Sequence, residues 1–309
     1  MRPYHLLSQL LIVIPLQWLP AQAAGPVEAV SLLGDSLRRP PLSAAAEGRM
    51  LTQLDSARRA YEARPESADA LIWLGRRTAY LGRYREAIAL FTEGIRKHPE
   101  DPRMYRHRGH RLISTRQLDS AITDFDRAAA LFQGQPDEVE PDGQPNARLI
   151  PTSTVQSNTW YHLGLAHYLK GDFARALDAY RECLAVSRNP DMLVATSHWL
   201  YMTLRRLGRD EDARAVLDPI TPDMDIIENG SYHRLLLLYK GVLRPEQVVE
   251  GSGDVALEDA TAGYGIGNWH LYNGRVDEAK AVFRRIVATG PWASFGYIAA
   301  EAELGRLDG

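Results

Sequence analysis

A short pattern returns along this chain at a spacing of 34 residues. Leu71, Leu74, Gly75, Gly82, Tyr84, Ala87, Phe91 and Pro99 make its first full copy, and Tyr105, Gly109, Leu112, Leu118, Ala121, Phe125 and Ala128 make the second. Trp160, Leu163, Gly164, Gly171, Asp172, Phe173, Ala176 and Tyr180 make a third. A fixed period of this length marks a helical repeat array. Glycine inside a helix costs up to about 1 kcal/mol relative to alanine, so its return at 75, 109 and 164 argues for close helix packing. One such unit cannot bury its apolar face alone, and neighbours must stack around a shared core. Arrays of this kind usually bind other proteins and rarely catalyse.

The leucine-glycine pair opening each unit, the glycine at mid-repeat and the alanine and aromatic spaced along the second helix resemble the tetratricopeptide repeat family. The resemblance runs from about Leu54 to Leu304. It implies an all-α, right-handed superhelical solenoid of helix-turn-helix repeats. Later copies are worn: residues 194–220 keep Leu200, Gly208, Ala213 and Leu217, and 224–250 keep an apolar helix followed by a short one. Residues 254–289 recover the pattern with Gly267, Gly274, Ala279 and Phe283, and 292–304 read as a terminal cap. Five repeats are expected, with half-units at both ends. Residues 54–61 read as a second helix whose first helix is 44–53 or is incomplete. Length alone would suggest two domains, but an array grows in one dimension and 44–309 reads as one solenoid.

The ends and one internal segment depart from the period. Residues 1–23 read as a secretory signal: Arg2, an apolar stretch from Leu6 to Leu19, and a small-x-small cleavage site at Ala21, Gln22 and Ala23. The expected location is therefore exported, periplasmic or secreted, in a bacterium. No cysteine follows the cleavage site to carry a lipid, and no run of 18 apolar residues makes a membrane span. Residues 24–43 read as a linker with one helical turn at 27–33. Residues 133–156 break the repeat phase with three prolines, two glycines and four acids before Asn146. That composition reads as a solvated loop, with a lid over the groove as the alternative.

The formal net charge of −3 becomes −4 once residues 1–23, with one arginine and no acid, are removed. That balance gives no whole-chain reason to propose a nucleic acid partner. The lone Cys183 sits where a small core residue belongs. The chain has no His-Glu-x-x-His, no Gly-x4-Gly-Lys-Ser/Thr and no paired cysteine motif. Gly263, Gly265 and Gly267 lack the preceding strand that a nucleotide loop needs. His107 and His110 lie three apart, with His162 able to approach, but zinc demands three or four convergent ligands. No cofactor, metal or catalytic residue is expected; an enzyme or metal-binding module built into the groove is the alternative.

The segment from Arg103 to Arg116 carries five arginines, two histidines and no acid. Arg103, Arg106 and His110 share one helix face by their i, i+3, i+7 spacing, and the family resemblance turns that face toward the concave side. Aligning the other first helices adds Arg76, Tyr80, Asn158, Tyr161, Tyr168 and His198, and beyond them Arg205, Tyr264, Asn268 and Tyr272. Arginine, tyrosine and asparagine suit carboxylates and peptide backbones, so the expected partner is a protein or peptide, of acidic character. The family's carboxylate-clamp members need a lysine/asparagine/arginine set, which Ile72 and His162 interrupt here. Arg108 stands where leucine is usual and needs Asp124 or Asp126 as a partner if buried. If residues 1–23 direct export, the protein purified from an exporting host begins at Ala24 by N-terminal sequencing; a product retaining Met1 refutes that reading.

Overall fold

Helix starts in this chain are written by side chains that accept orphan backbone N–H groups. Asp101 accepts from Arg103 N, with Pro102 in the first position of the helix that follows. Asn189 does the same for Met192 before Pro190, and Thr154 and Ser157 form a reciprocal capping box. In the computed structural model of the protein, which describes residues 25–250 and 260–309, these caps open a series of paired helices. The expected signal segment 1–23 lies outside the described residues.

A short antiparallel hairpin, β1 (Val27–Val30) and β2 (Ser36–Arg38), comes first. Helix α1 (Ala44–Ala63) follows, then the pairs α2 (Ala68–Tyr80) with α3 (Tyr84–Lys97) and α4 (Pro102–Ser114) with α5 (Leu118–Phe132). Beyond the insert come α6 (Val155–Lys170) with α7 (Phe173–Val186), then α8 (Pro190–Arg206) with α9 (Asp210–Val216). The chain continues through α10 (Gly230–Tyr239), α11 (Pro245–Glu250), α12 (Ala260–Tyr272), α13 (Val276–Thr289) and α14 (Phe295–Asp308). The result is an all-α helical repeat solenoid. Two boundaries differ from expectation. Residues 44–61 belong to one unbroken helix, because nothing between Ala44 and Ala63 breaks the pattern. Residues 27–38 pair as strands rather than forming a linker with a helical turn, because Gly34, at φ 95°, lets the chain reverse.

The recurring glycines do what their spacing requires. A Cβ on Gly75 would sit 2.5 Å from the Phe91 ring, on Gly109 2.8 Å from Phe125, on Gly164 2.7 Å from Tyr180 and on Gly267 2.5 Å from Phe283. The same small-against-aromatic contact therefore closes four helix pairs. Those rings are almost fully buried, as are Ala87, Ala121, Ala176 and Ala279. Cys183 is core: its Sγ lies 3.1 Å from Thr196 Oγ1, and burial pushes the thiol up to about 12.

The solenoid also closes on itself. Arg116 stands 34 residues after Gly82, at the turn between α4 and α5 where Gly82, Gly171, Gly208 and Gly274 all adopt positive φ. Arg116 does so at φ 63°, which costs a non-glycine residue about 1–2 kcal/mol. Its guanidinium reaches Glu301 of α14 through two contacts of 2.9 Å and donates to the Trp292 carbonyl at 2.7 Å. Glu301 is fully buried, and Leu32 N, in the turn of the hairpin, lies 3.5 Å from the same Oε2 that Arg116 Nε contacts. Trp292 Nε1 donates back to Arg38 O at 2.7 Å. Two residues on, buried Glu303 faces Arg206 and Arg306, and Arg306 donates to Leu169 O at 2.8 Å. Hairpin, second repeat and last helix are thus joined across 185 residues of sequence.

Gly164→Ala should lower stability by about 1–3 kcal/mol through overpacking against Tyr180. Gly48→Ala, where a Cβ meets nothing within 4 Å, should raise it by up to about 1 kcal/mol. Chemical denaturation of the two variants checks the pair; equal effects would mean that the glycines are not packing contacts.

Candidate functional site

The inner faces of α2, α4 and α6 converge under the segment between α5 and α6. Their basic cluster is held together by hydrogen-bond direction as well as charge. Arg106 is buried, and its Nη1 lies 2.9 Å from His107 Nδ1. A guanidinium can only donate, so Nδ1 accepts and the His107 proton sits on Nε2. His162 Nδ1 faces the Asn158 carbonyl at 2.5 Å and must donate to it. The His110 ring stands 4.4 Å from the His162 ring and 5.3 Å from Phe295 of α14. Burial holds His107, His110 and His162 well below the usual imidazole range, and neighbouring arginines depress them further. All three rings are neutral at pH 7. The cations of the cluster are therefore Arg76, Arg106 and Arg111.

The segment 133–154 lies over this cluster. Its two ends pair, with Glu140 N donating to Ser153 O at 3.1 Å and Val155 N to Glu138 O at 2.9 Å. Glu140 turns inward and is buried, with Oε2 3.0 Å from Arg106 Nε and 3.0 Å from Asn158 Nδ2. His107 Nε2 lies 3.8 Å from its other oxygen. The Gly143 carbonyl accepts from Arg77 Nη1 at 2.8 Å. At the far end, Thr152 Oγ1 donates to Glu228 at 2.8 Å and Arg148 clamps Asp225 through contacts of 2.7 and 3.0 Å. The loop that receives them is itself fixed by Asp191, whose carboxylate accepts from the backbone N–H groups of Ile227, Glu228 and Asn229. Beneath the segment lies a polar cavity of about 350 Å³ whose walls include Arg76, Asn158, Tyr161 and Tyr232.

Two tetratricopeptide repeat family models match the chain, one over residues 75–136 and one over residues 157–190. These spans run from the second half of α2 through α5, and from near the start of α6 through α7. The chain carries tetratricopeptide repeats. Solved structures that the chain matches include MamA, at 16% identity over 64% of this chain and 87% of that one, with a TM-score of 0.42. YrrB, a tetratricopeptide repeat protein with an unusual peptide-binding site, overlaps 76% of this chain and 93% of its own at 14% identity and a TM-score of 0.42. A tetratricopeptide repeat protein from Parabacteroides merdae overlaps 85% and 94% at 14% identity and a TM-score of 0.47. No curated protein matches the chain.

The tetratricopeptide repeat geometry brings Arg76, Tyr80, Arg106, His110, Asn158 and Tyr161 together around the covered cavities. It separates the other three expected residues from them. Arg103 is spent on Asp101 and Asp69, at 2.7 Å each, and lines a different cleft near Phe132 and Gln135. Tyr168 is fully buried: its hydroxyl takes hydrogen bonds from Tyr264 at 2.9 Å and Asn268 at 3.0 Å, and burial raises it to about 12. His198 is fully buried against Trp199, Tyr232 and Tyr239, and burial lowers it to about 3. Both were expected on an open groove. The closure of α12 and α14 onto α6 and α8 converts that stretch, with Tyr264 and Asn268, into core. Arg108 pairs in two-pronged fashion with Asp124, at 2.8 and 2.7 Å. Most of the segment 133–154 is exposed, in keeping with its composition, but Glu140, Gly143 and Thr152 turn inward and are buried. Sequence reasoning also missed Glu140 and Arg111; the signal for Arg111 was the acid-free run from Arg103 to Arg116.

Because Glu140 is the inward anchor of the segment, Glu140→Gln should loosen it while leaving the repeats folded. Trypsin cleavage after the exposed Arg148 should then be several-fold faster, with the melting temperature little changed. An unchanged cleavage rate would show that the far-end contacts alone hold the segment.

Proposed function

We propose that the protein is a non-catalytic interaction scaffold of an exported compartment. Its inner surface, at Arg76, Tyr80, Arg106, His110, Asn158 and Tyr161, receives an extended acidic segment of a partner. One observation carries this reading. The protein's own segment 133–154 loops over it, with a carboxylate at Arg106 and Asn158 and a backbone carbonyl at Arg77. These are the two contacts that would recognise an acidic peptide: a charge-assisted bond to a side chain and a side-chain bond to the main chain. The segment presents Val139, Leu149 and Ile150 to solvent, so little apolar burial opposes its displacement. A partner would share this surface with the segment or replace it.

The open residue of the set is Arg76, which stacks on Trp73 at 4.6 Å and reaches Tyr80 Oη at 3.4 Å without an ion pair within 4 Å among the described residues. A partner co-purified from an envelope extract should lose at least about tenfold in affinity for an Arg76→Met variant of unchanged melting temperature. Equal affinity for parent and variant would overturn the reading.

A further inference from the structure

At the inner end of the covered surface is a second, smaller cavity of about 100 Å³, walled by Arg76, Tyr80, Arg106, His110, Arg111 and Glu140 among others. Its charges do not balance. Three guanidiniums face one carboxylate, and Glu140 is already engaged by Arg106. Asp142 lies further out, by the larger cavity, and makes no ion pair with Arg76. Arg111 is the informative member. It sits over the Tyr84 ring at 5.6 Å and makes neither a hydrogen bond nor an ion pair through its side chain among the described residues. Arg111 is half-buried, and a guanidinium drawn that far out of water commonly finds an acid, as Arg106, Arg108 and Arg116 do. Burial holds Arg111 down to about 10, so it is still charged at neutral pH. His110 contributes a ring with no polar partner among the described residues, held between His162 and Phe295 by tilted ring contacts.

Size narrows the ligand. At about 100 Å³ the space exceeds the roughly 30 Å³ share of one water. It falls short of the roughly 300–1,000 Å³ of pockets that hold drug-sized ligands. A group of a few heavy atoms with several acceptor oxygens fits both the volume and the donors. We infer that this cavity is a binding site for a small oxyanion, a phosphate or carboxylate group, received by Arg111, Arg76 and His110. The planar guanidinium of Arg111 presents parallel N–H donors matched to two oxygens of such a group. The anion is either free in solution or carried on the partner's side chain. The inference is separate from the peptide reading, since a free anion would fill the cavity with no partner present.

The test is calorimetric titration of the full-length protein at constant ionic strength, with chloride as the balancing salt. The probes are inorganic phosphate, acetate and a glycine-phosphoserine-glycine tripeptide. At least one probe should bind saturably at one site per chain. Arg111→Met, which keeps the stem over Tyr84, should weaken that binding by at least about tenfold, the effect expected for a lost charge-assisted pair. His110→Phe, which keeps the stacking, should weaken it by a smaller factor, and Arg103→Met, at the separate cleft, should leave it unchanged. Tighter binding of inorganic phosphate or acetate supports the site with a free anion as its ligand. Tighter binding of the tripeptide supports it with the partner's side chain as the source. Failure of every probe to saturate, or equal affinity of parent and Arg111→Met, overturns the inference. Loss of partner binding in Arg76→Met is a different measurement and stands or falls independently.

Discussion

The closed shape of this solenoid depends on two buried carboxylates of its last helix. Glu301 and Glu303 are both fully buried, which would be prohibitive without compensation, since several kcal/mol are lost per desolvated ion. Arg116 meets Glu301 with two hydrogen bonds, and Arg206 and Arg306 meet Glu303. Replacing such ion pairs with apolar residues is often neutral or stabilising, whereas removing one partner is costly, about 3–5 kcal/mol. Their contribution here is specificity. Apolar contacts would let α14 slide along the inner faces of α6 and α8. Paired charges at 116, 206, 301 and 303 permit one docking. The positive φ of Arg116 shows that local backbone energy is spent to place that guanidinium.

Closure determines what remains available for binding. An open array offers the whole inner face of its first helices. Here α12 and α14 cover the part contributed by α8 and by the end of α6, where Tyr168, Tyr264 and Asn268 share hydrogen bonds. The part contributed by α2, α4 and the start of α6 is left, and the 133–154 segment lies across it. The two coverings differ in kind. The helical one buries large rings, Trp199 stacking on Tyr264 at 5.7 Å among them, and burial of that sort is worth several kcal/mol. The segment is held mostly by polar contacts near the surface, and exposed ion pairs such as Arg148–Asp225 contribute at most about 1 kcal/mol each. The segment is therefore the covering that opens first.

What the sequence made legible follows from the range of the interactions involved. The glycine–aromatic contacts span 16 residues within one repeat, as at Gly75 and Phe91, and a pattern that local can be read directly from the period. The pairing of Arg108 with Asp124 has the same 16-residue span and was readable for the same reason. Tyr168 and His198 were placed on the correct helices, but their burial depends on residues 41 to 100 positions away, and no repeat pattern encodes those. The insert's prolines, glycines and acids point to solvent, and most of it is exposed. Its docking comes from Glu140 finding a guanidinium 34 residues upstream. A clue to the closure lay in the period itself: arginine at 116, where the matching turns carry glycine, is a costly exception whose purpose appears only when Glu301 is in view.

The inner surface then follows from charge accounting. The chain as a whole is acidic, yet its acid-free helix α4 turns Arg106, His110 and Arg111 toward the same enclosed space as Arg76. An exposed guanidinium is well solvated and needs no partner, whereas half-buried ones such as Arg76 and Arg111 have given up part of that solvation without gaining an acid. Glu140 supplies one such anion from within the chain, and Tyr84 offers Arg111 only a ring face. A ring face at an exposed site offsets about 0.5–1 kcal/mol and more when dry, less than a two-pronged carboxylate would. The uncompensated part is free energy that binding can recover. Retaining arginine at 111, rather than an apolar residue that would pack against Tyr84 without that cost, is what an anion-receiving surface requires.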